Sequence, residues 1–284
     1  MRVYGFPGQG SQVRGMGRDL FEQFPDETRF SDAILGYSIR SLCLEDDSGR
    51  LDQSEYTQPA MYVVGALTYL ARTHADPVDP DFLIGHSLGE YVALFAGGAF
   101  DYGTGLKFVQ RRGELMSRAP SGGMAAVIGC KAEAVEVMFR ESGVTSIDIA
   151  NLNAEHQTVI AGPREDIERL KPVVESRGAR YVRLNVSAPF HSRYMRSVAD
   201  EFGQLLAEVE FQPLRIPVIA NVTGRPYRNG QVRETLVRQI ANPVNWLDSI
   251  RYLVREGDFT FAELGPGNVL TRLVQQIRGR YGFG

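Results

Sequence analysis

Asp81-Phe-Leu-Ile-Gly-His-Ser-Leu-Gly-Glu-Tyr91 is the stretch that decides the fold. Its opening Phe-Leu-Ile is a short apolar run of strand type, and Leu88 to Ala96 follows without a linker and carries apolar residues at helical spacing. Between the two stands Gly85-His86-Ser87-Leu88-Gly89, a G-x-S-x-G sequence. A strand that turns sharply into a helix lifts the central serine onto the bend, and glycines on either side leave room that a Cβ would fill. Ser87 is therefore the candidate nucleophile. The N–H of Leu88 points into the same space and can donate to an oxyanion, and the helix start adds the positive end of its dipole. The bland alternative is a tight packing turn with an inert serine.

Working outward, Arg2 to Phe6 reads as a buried strand ended by Pro7-Gly-Gln-Gly10, and Gly17–Phe24 and Gln58–Thr73 read as helices. Asp101 is a plausible N-cap for a helix that reaches about Met116. From Met124 to Leu184 the rhythm changes. Strands at 124–128, 146–150, 158–161 and 180–184 enclose helices at 132–141 and 163–177, with Pro163 at a start and Gly178 at a stop. That βαββαβ order is the ferredoxin-like arrangement. The remainder alternates helices at 195–208, 233–240, 245–256 and 268–278 with strands at 216–221 and 260–263. The fold expected is α/β: an α/β-hydrolase-like large subdomain with a mostly parallel sheet at 1–122 and 187–284, and an inserted ferredoxin-like small subdomain at 123–186.

A serine nucleophile needs a base, and the chain offers four histidines. His86 adjoins Ser87 on the turn, so its ring should point away and serve packing or hydrogen bonding. His74 lies in a polar loop, and His156 falls in the small subdomain with no evident task. His191, after Pro189-Phe190 at the junction of the two subdomains, can reach a cleft and is the candidate base. The third member of a triad stays open: Asp148, Glu155 and Asp166 are candidates, and a backbone carbonyl or an amide can orient an imidazole instead. Pro7-Gly-Gln-Gly10 could bring a backbone N–H to the reacting centre or be an ordinary glycine turn. Arg111-Arg112 would usually be a solvated face. Yet Gly113 within a helix costs about 1 kcal/mol relative to alanine, which hints at close approach by another group.

Composition narrows the function. Hydrophobic residues at 43% and charged residues at 23% exclude wholesale disorder. A net charge of −3 gives no reason to expect nucleic acid as a partner. Two isolated cysteines, Cys43 and Cys130, exclude a disulfide framework and a structural zinc site and fit a reducing compartment. The most apolar stretch, Ala60 to Leu70, is shorter than the ~20 residues of a bilayer crossing. The expectation is a soluble, cytoplasmic protein with no membrane or metal association.

Several motifs, taken together, resemble the malonyl-CoA:acyl carrier protein transacylases. They are Phe6-Pro-Gly-Gln-Gly-Ser-Gln12, Thr57-Gln-Pro-Ala60, Gly85-His-Ser-Leu-Gly-Glu-Tyr91, Arg112-Gly113, Asn151-x-Asn153, Ser187-Ala-Pro-Phe-His191, Asn242-Pro-Val-x-Trp246 and Gly265-Pro-Gly267. Leu35-Gly-Tyr-Ser-Ile-Arg40 looks like the discrete acyltransferases that serve trans-acyltransferase polyketide synthases. The resemblance implies a malonyl group moved from malonyl-CoA through a Ser87 ester to the phosphopantetheine thiol of an acyl carrier protein, with no cofactor. It implies His191 as base, the amides of Gln9 and Leu88 as oxyanion hole, and Arg112 as receptor of the malonate carboxylate. Gln58 would line the pocket floor, Phe190 would mark a malonyl-type rather than methylmalonyl-type pocket, and the main-chain carbonyl of Asn245 would orient His191.

The rival expectations are an acyl hydrolase that clears stalled carrier proteins, a methylmalonyl transferase, and a silent carrier-docking module. Arg112 argues for transfer over hydrolysis. Arg177, Arg180, Arg183, Arg193 and Arg196 could receive an acidic carrier or be a scatter of solvated charges.

Overall fold

In the computed structural model, which describes residues 1–279, two sheets carry the chain. The first runs β8 (Arg225–Pro226), β7 (Val218–Ala220), β2 (Phe82–Gly85), β1 (Arg2–Phe6), β9 (Thr260–Glu263). β1 pairs in parallel with β2 and with β9, β2 pairs in parallel with β7, and only the edge strand β8 is antiparallel. Alternation sorts the side chains. Val3, Ile84 and Ile219 face a core built with Trp246, Ile250, Leu253 and Leu273, on α11 (Trp246–Glu256) and α12 (Val269–Arg278). Tyr4, Phe6, Leu83 and Val218 face the other way, into the main core. That core is filled by α4 (Ser54–Ala75), α5 (Gly89–Ala96), α6 (Tyr102–Ser117), α9 (Arg196–Leu206) and α10 (Val232–Ala241). A parallel sheet covered on both faces accounts for the continuous apolar runs.

The second sheet runs β4 (Asp148–Ala154), β5 (Gln157–Gly162), β3 (Gly123–Ile128), β6 (Arg180–Arg183), all antiparallel. This is the ferredoxin-like order. Ala125, Val127 and Ile160 pack under α7 (Ala132–Glu141) and α8 (Arg164–Ser176), while Met124, Ala126 and Val159 join the main core. β4 is also stitched to the first unit, because Leu152 N–H donates to Val244 O at 2.9 Å and Val244 N–H to Ala150 O at 2.9 Å. β4 starts two residues later and ends four residues later than its sequence reading. Register shifts at Ile149/Asn151 and Leu152/Ala154 break the alternation that strand reading relies on.

Two helices escape the sequence reading, α2 (Pro25–Leu35) and α3 (Ile39–Leu44); with α1 (Arg18–Gln23) they form a group beside α4, touching it from Tyr37 against Tyr56 near its start to Phe24 against His74 near its end. The buried positions of α2 are Thr28, Ser31 and Leu35, a face too polar to register as apolar periodicity. Its start signals were nonetheless present, with proline in the first turn and Asp26 and Glu27 beside it. No helix among the described residues is long and apolar enough to cross a membrane.

Candidate active site

Ser87 sits where β2 ends and α5 begins, with φ of 53°. That left-handed backbone is rare for a side-chain-bearing residue, and among the described residues it recurs only at Asp46 and His191. The bend is possible because a Cβ on Gly85 would lie 1.9 Å from the Gly89 carbonyl carbon, and one on Gly89 would lie 2.0 Å from Phe6 O. Asn221, behind β7, holds the turn from outside: Ser87 N–H donates to its Oδ1 at 2.7 Å, and its Nδ2 donates to Gly85 O at 2.6 Å.

His191 lies beside Ser87, 104 positions along the chain, with Nε2 2.7 Å from Ser87 Oγ. Its Nδ1 lies 2.9 Å from the main-chain oxygen of Gln239 on α10. A carbonyl accepts and never donates, so Nδ1 carries the proton and Nε2 presents its lone pair to the serine. The imidazole is buried, and burial first, then the positive field of Arg112, lowers its pKa to about 3.

The expected orienting carbonyl at Asn245 is a correction. Asn245 is the N-cap of α11, and its oxygen accepts from Ser249 N–H at 3.0 Å and Ser249 Oγ at 2.8 Å. A helix-capping carbonyl is directed along its own helix, so the task falls to Gln239, in the last turn of α10, where carbonyls have no intrahelical donor. The Asn245 side chain instead donates to Val222 O at 2.6 Å.

Arg112, on α6, is buried to 1% exposure, yet no carboxylate touches it. Nη1 donates to Gln58 Oε1 at 2.7 Å, and Nη2 donates to Gln239 Oε1 and to Ser87 Oγ, each at 3.1 Å. The guanidinium also lies over the Tyr91 ring at 5.3 Å. Nε has no hydrogen-bond partner, and burial lowers the arginine pKa from its usual value. A buried cation with only neutral acceptors is a receptor for an anion. Gly113 explains how it gets there, since a Cβ would meet Ser54 O at 2.9 Å and Glu55 Cα at 3.0 Å. The close crossing of α6 on α4 is what brings Gln58 to Arg112.

The Pro7–Gly10 loop is pressed against the elbow, where a Cβ on Gly8 would lie 2.4 Å from His86 O. Among the described residues, the N–H groups of Gln9 and Leu88 have no partner within the chain. Gln9 Nε2 donates to Ser54 Oγ at 3.1 Å. Beside Gln9 opens a cavity of about 660 Å³, reaching Ser117, Arg164, Arg183 and Ser187. Phe190 is buried next to the histidine, with its N–H on Ala188 O at 3.1 Å. His86 turns away, with Nε2 2.8 Å from Asn153 Oδ1 and its ring 5.6 Å from Trp246, so it fastens the elbow to the small subdomain.

The acidic candidates for a third triad member are engaged elsewhere. Asp148 grips Arg193, and Asp166 holds Ser146 and Arg169. Of the five junction arginines, Arg177 pairs with Glu141, Arg183 with Glu168 and Arg193 with Asp148, which weakens the expectation of a dedicated basic patch. Sequence reasoning missed Gln239, Glu90, Asn221 and Tyr227. Gln239 carried one signal: on α10 the buried positions are 232, 235, 236, 239 and 240, so a glutamine stands on the apolar face.

Residues 3–279 match the family described as the acyl transferase domain. The polyketide biosynthesis protein ThaF of Burkholderia thailandensis is 54% identical over 98% of this chain and 24% of its own, so the chain spans about a quarter of that relative's length. The polyketide biosynthesis malonyl CoA-acyl carrier protein transacylase BaeC of Bacillus velezensis is 50% identical over 98% of this chain and 97% of its own. The crystal structure of malonyl CoA-acyl carrier protein transacylase from Burkholderia pseudomallei has a TM-score of 0.96 at 48% identity, covering 99% of this chain and 98% of that one.

Proposed function

We infer what this chain does from one premise: it belongs to the acyl transferase domain family. It is a malonyl-CoA:acyl carrier protein transacylase of polyketide biosynthesis, and its partners are a coenzyme A thioester and an acyl carrier protein. One observation carries the reading. Ser87 Oγ is at once 2.7 Å from the base His191 and 3.1 Å from Arg112, so nucleophile, proton acceptor and carboxylate receptor meet at one atom.

In the first half-reaction Ser87 Oγ attacks the thioester carbonyl carbon of malonyl-CoA while its proton passes to His191 Nε2. The carbonyl π pair moves to oxygen, where the N–H groups of Gln9 and Leu88 receive the charge; each well-placed donor is worth about 3 kcal/mol. Collapse breaks the C–S bond, and the departing thiolate takes the proton from His191. In the second half the phosphopantetheine thiol gives its proton to His191 and attacks the ester, and the Ser87 oxygen leaves and is reprotonated. Thioester and oxygen ester exchange at nearly balanced energy, so neither half asks for a metal or redox group.

Arg112 does more than anchor. While its partners are neutral, its charge adds to burial, the larger cause, in weakening the neighbouring base; a malonyl carboxylate neutralises that field and lifts this smaller part of the depression as the acyl group is seated. A neutral acyl group would leave the guanidinium unpaired. The cavity beside Gln9 has room for the thioester arm. Two free cysteines and the absence of a spanning helix among the described residues fit the reducing cytoplasm as its place of work. Hydrolysis is the lesser reading, because a carboxylate receptor at the nucleophile serves retention of one acyl class.

The experiment is intact-mass analysis after mixing with malonyl-CoA, acetyl-CoA or methylmalonyl-CoA, with and without a holo carrier protein. A malonyl adduct that survives in buffer and moves to the carrier is expected. Rapid loss to water in the carrier's presence would instead favour the hydrolase.

A further inference from the structure

Glu90 is fully buried in the first turn of α5, and nothing in the reaction above uses it. Its Oε1 accepts from the Tyr227 hydroxyl and, at 3.2 Å, from Asn221 N–H; its Oε2 accepts from Gln239 Nε2 at 2.8 Å. The same Gln239 Nε2 donates to Ser87 O at 2.7 Å. The Ser87 carbonyl can only accept, and the Glu90 oxygen facing that nitrogen accepts whenever the carboxyl is ionised or carries its proton on Oε1. The amide can therefore point only one way, with Oε1 toward Arg112 Nη2.

The charge arrangement is equally specific. Arg112 is the cation whose field reaches Glu90, and one amide separates the two. An anion in contact with the guanidinium would compete with an incoming carboxylate. Ionised, as it is above about pH 7, a carboxylate one amide away offsets part of the cost of burying the cation and leaves its donors available.

We propose that Glu90 is a positioning residue for acyl-group selection: by fixing the direction of the Gln239 amide, it sets where Arg112 presents its donors to a carboxylated acyl group. The inference rests on the malonyl reading above. Glu90→Gln leaves one acceptor oxygen for donors on both sides; with that oxygen kept for Asn221 N–H, its NH2 stands opposite Gln239 Nε2 and that amide must turn or withdraw, while the Arg112 charge stays.

The test is the ratio of loading rates for malonyl-CoA and acetyl-CoA, each read by mass on Ser87. In Glu90→Gln the malonyl-to-acetyl ratio should fall about tenfold or more. Gln239→Met, which keeps the main-chain carbonyl for His191, should lower it likewise and decides alone if the first variant does not fold. In an Arg112→Ala background Glu90→Gln should leave the ratio unmoved. A parallel fall for both substrates, or a rise in the ratio, would overturn the inference and leave Glu90 a packing residue or a repelling charge. Wild-type protein that loads both acyl groups equally, with no response to Arg112→Ala, would instead remove the malonyl reading, and this inference with it.

Discussion

His191 Nδ1 stands 2.9 Å from the main-chain oxygen of Gln239, so a peptide group does here what a carboxylate does in a three-residue triad. The consequence is electrostatic. No buried anion touches the imidazole, and the nearest strong field is the positive one of Arg112, which helps hold the ring neutral before substrate arrives.

Acidic residues of the small subdomain should then be dispensable to acyl loading. Asp166→Asn and Glu155→Gln are expected to keep the single-turnover rate of malonyl loading within about twofold of wild type, where loss of a true triad carboxylate costs about 10⁴. A hundredfold drop in either would restore the carboxylate and sink the peptide-oriented base.

Arg112→Ala should cost malonyl loading about 2–3 kcal/mol, or roughly 30- to 150-fold in kcat/KM, with acetyl loading changed far less. Ser87→Ala should abolish the adduct for every acyl donor. Equal losses for malonyl and acetyl in the arginine variant would show that the guanidinium supports the serine rather than the substrate.

Stability should answer to pH through two buried groups of opposite sign. His191 has its pKa lowered from 6.5 to about 3, so the unfolded chain takes up that proton first; its contribution is full above pH 6.5 and fades as pH falls toward 3. Burial raises Glu90 from 4.5 to about 7 against hydrogen bonds from Tyr227, Gln239 and Asn221; its contribution is full below pH 4.5 and fades as pH rises through 7. In thermal melts, the Tm of Glu90→Gln relative to wild type should climb between pH 5 and pH 8. His191→Gln should lose less Tm than wild type between pH 7 and pH 5. Differences that stay flat across those windows would show neither group perturbed in the fold.

Gly113→Ala sets helix propensity against packing. Alanine gains about 1 kcal/mol within a helix, but its Cβ would overlap Ser54 O and Glu55 Cα, and overpacking of that kind costs about 1–3 kcal/mol. A lower Tm together with weaker malonyl loading is expected, because separating α6 from α4 also parts Arg112 from Gln58. An unchanged or higher Tm would mean the helix crossing has slack.

How much of this was readable beforehand depends on the range of each signal. The β2–α5 turn was legible because its requirements are local: an apolar run, two glycines and a helical period within eleven positions. Arg112 was half legible, since Gly113 announced a close approach without saying to what. Glu90 looked like an ordinary first-turn helical carboxylate, and Tyr227 gave no sign at all. Their burial depends on α10 and the β7–β8 turn folding over α5 from well over a hundred positions away.

Alone, the string of residues determined where most strands and helices form, α2, α3 and the bulged β4 excepted, and which serine is lifted from its backbone, because steric and periodic preferences act over a few neighbours. Packing of distant elements decided which histidine meets that serine, which neutral groups surround Arg112, and that Gln239 rather than Asn245 orients the base. The last choice could not be encoded by residue type, since every residue carries a carbonyl and only the direction of a helix end determines which one an imidazole finds.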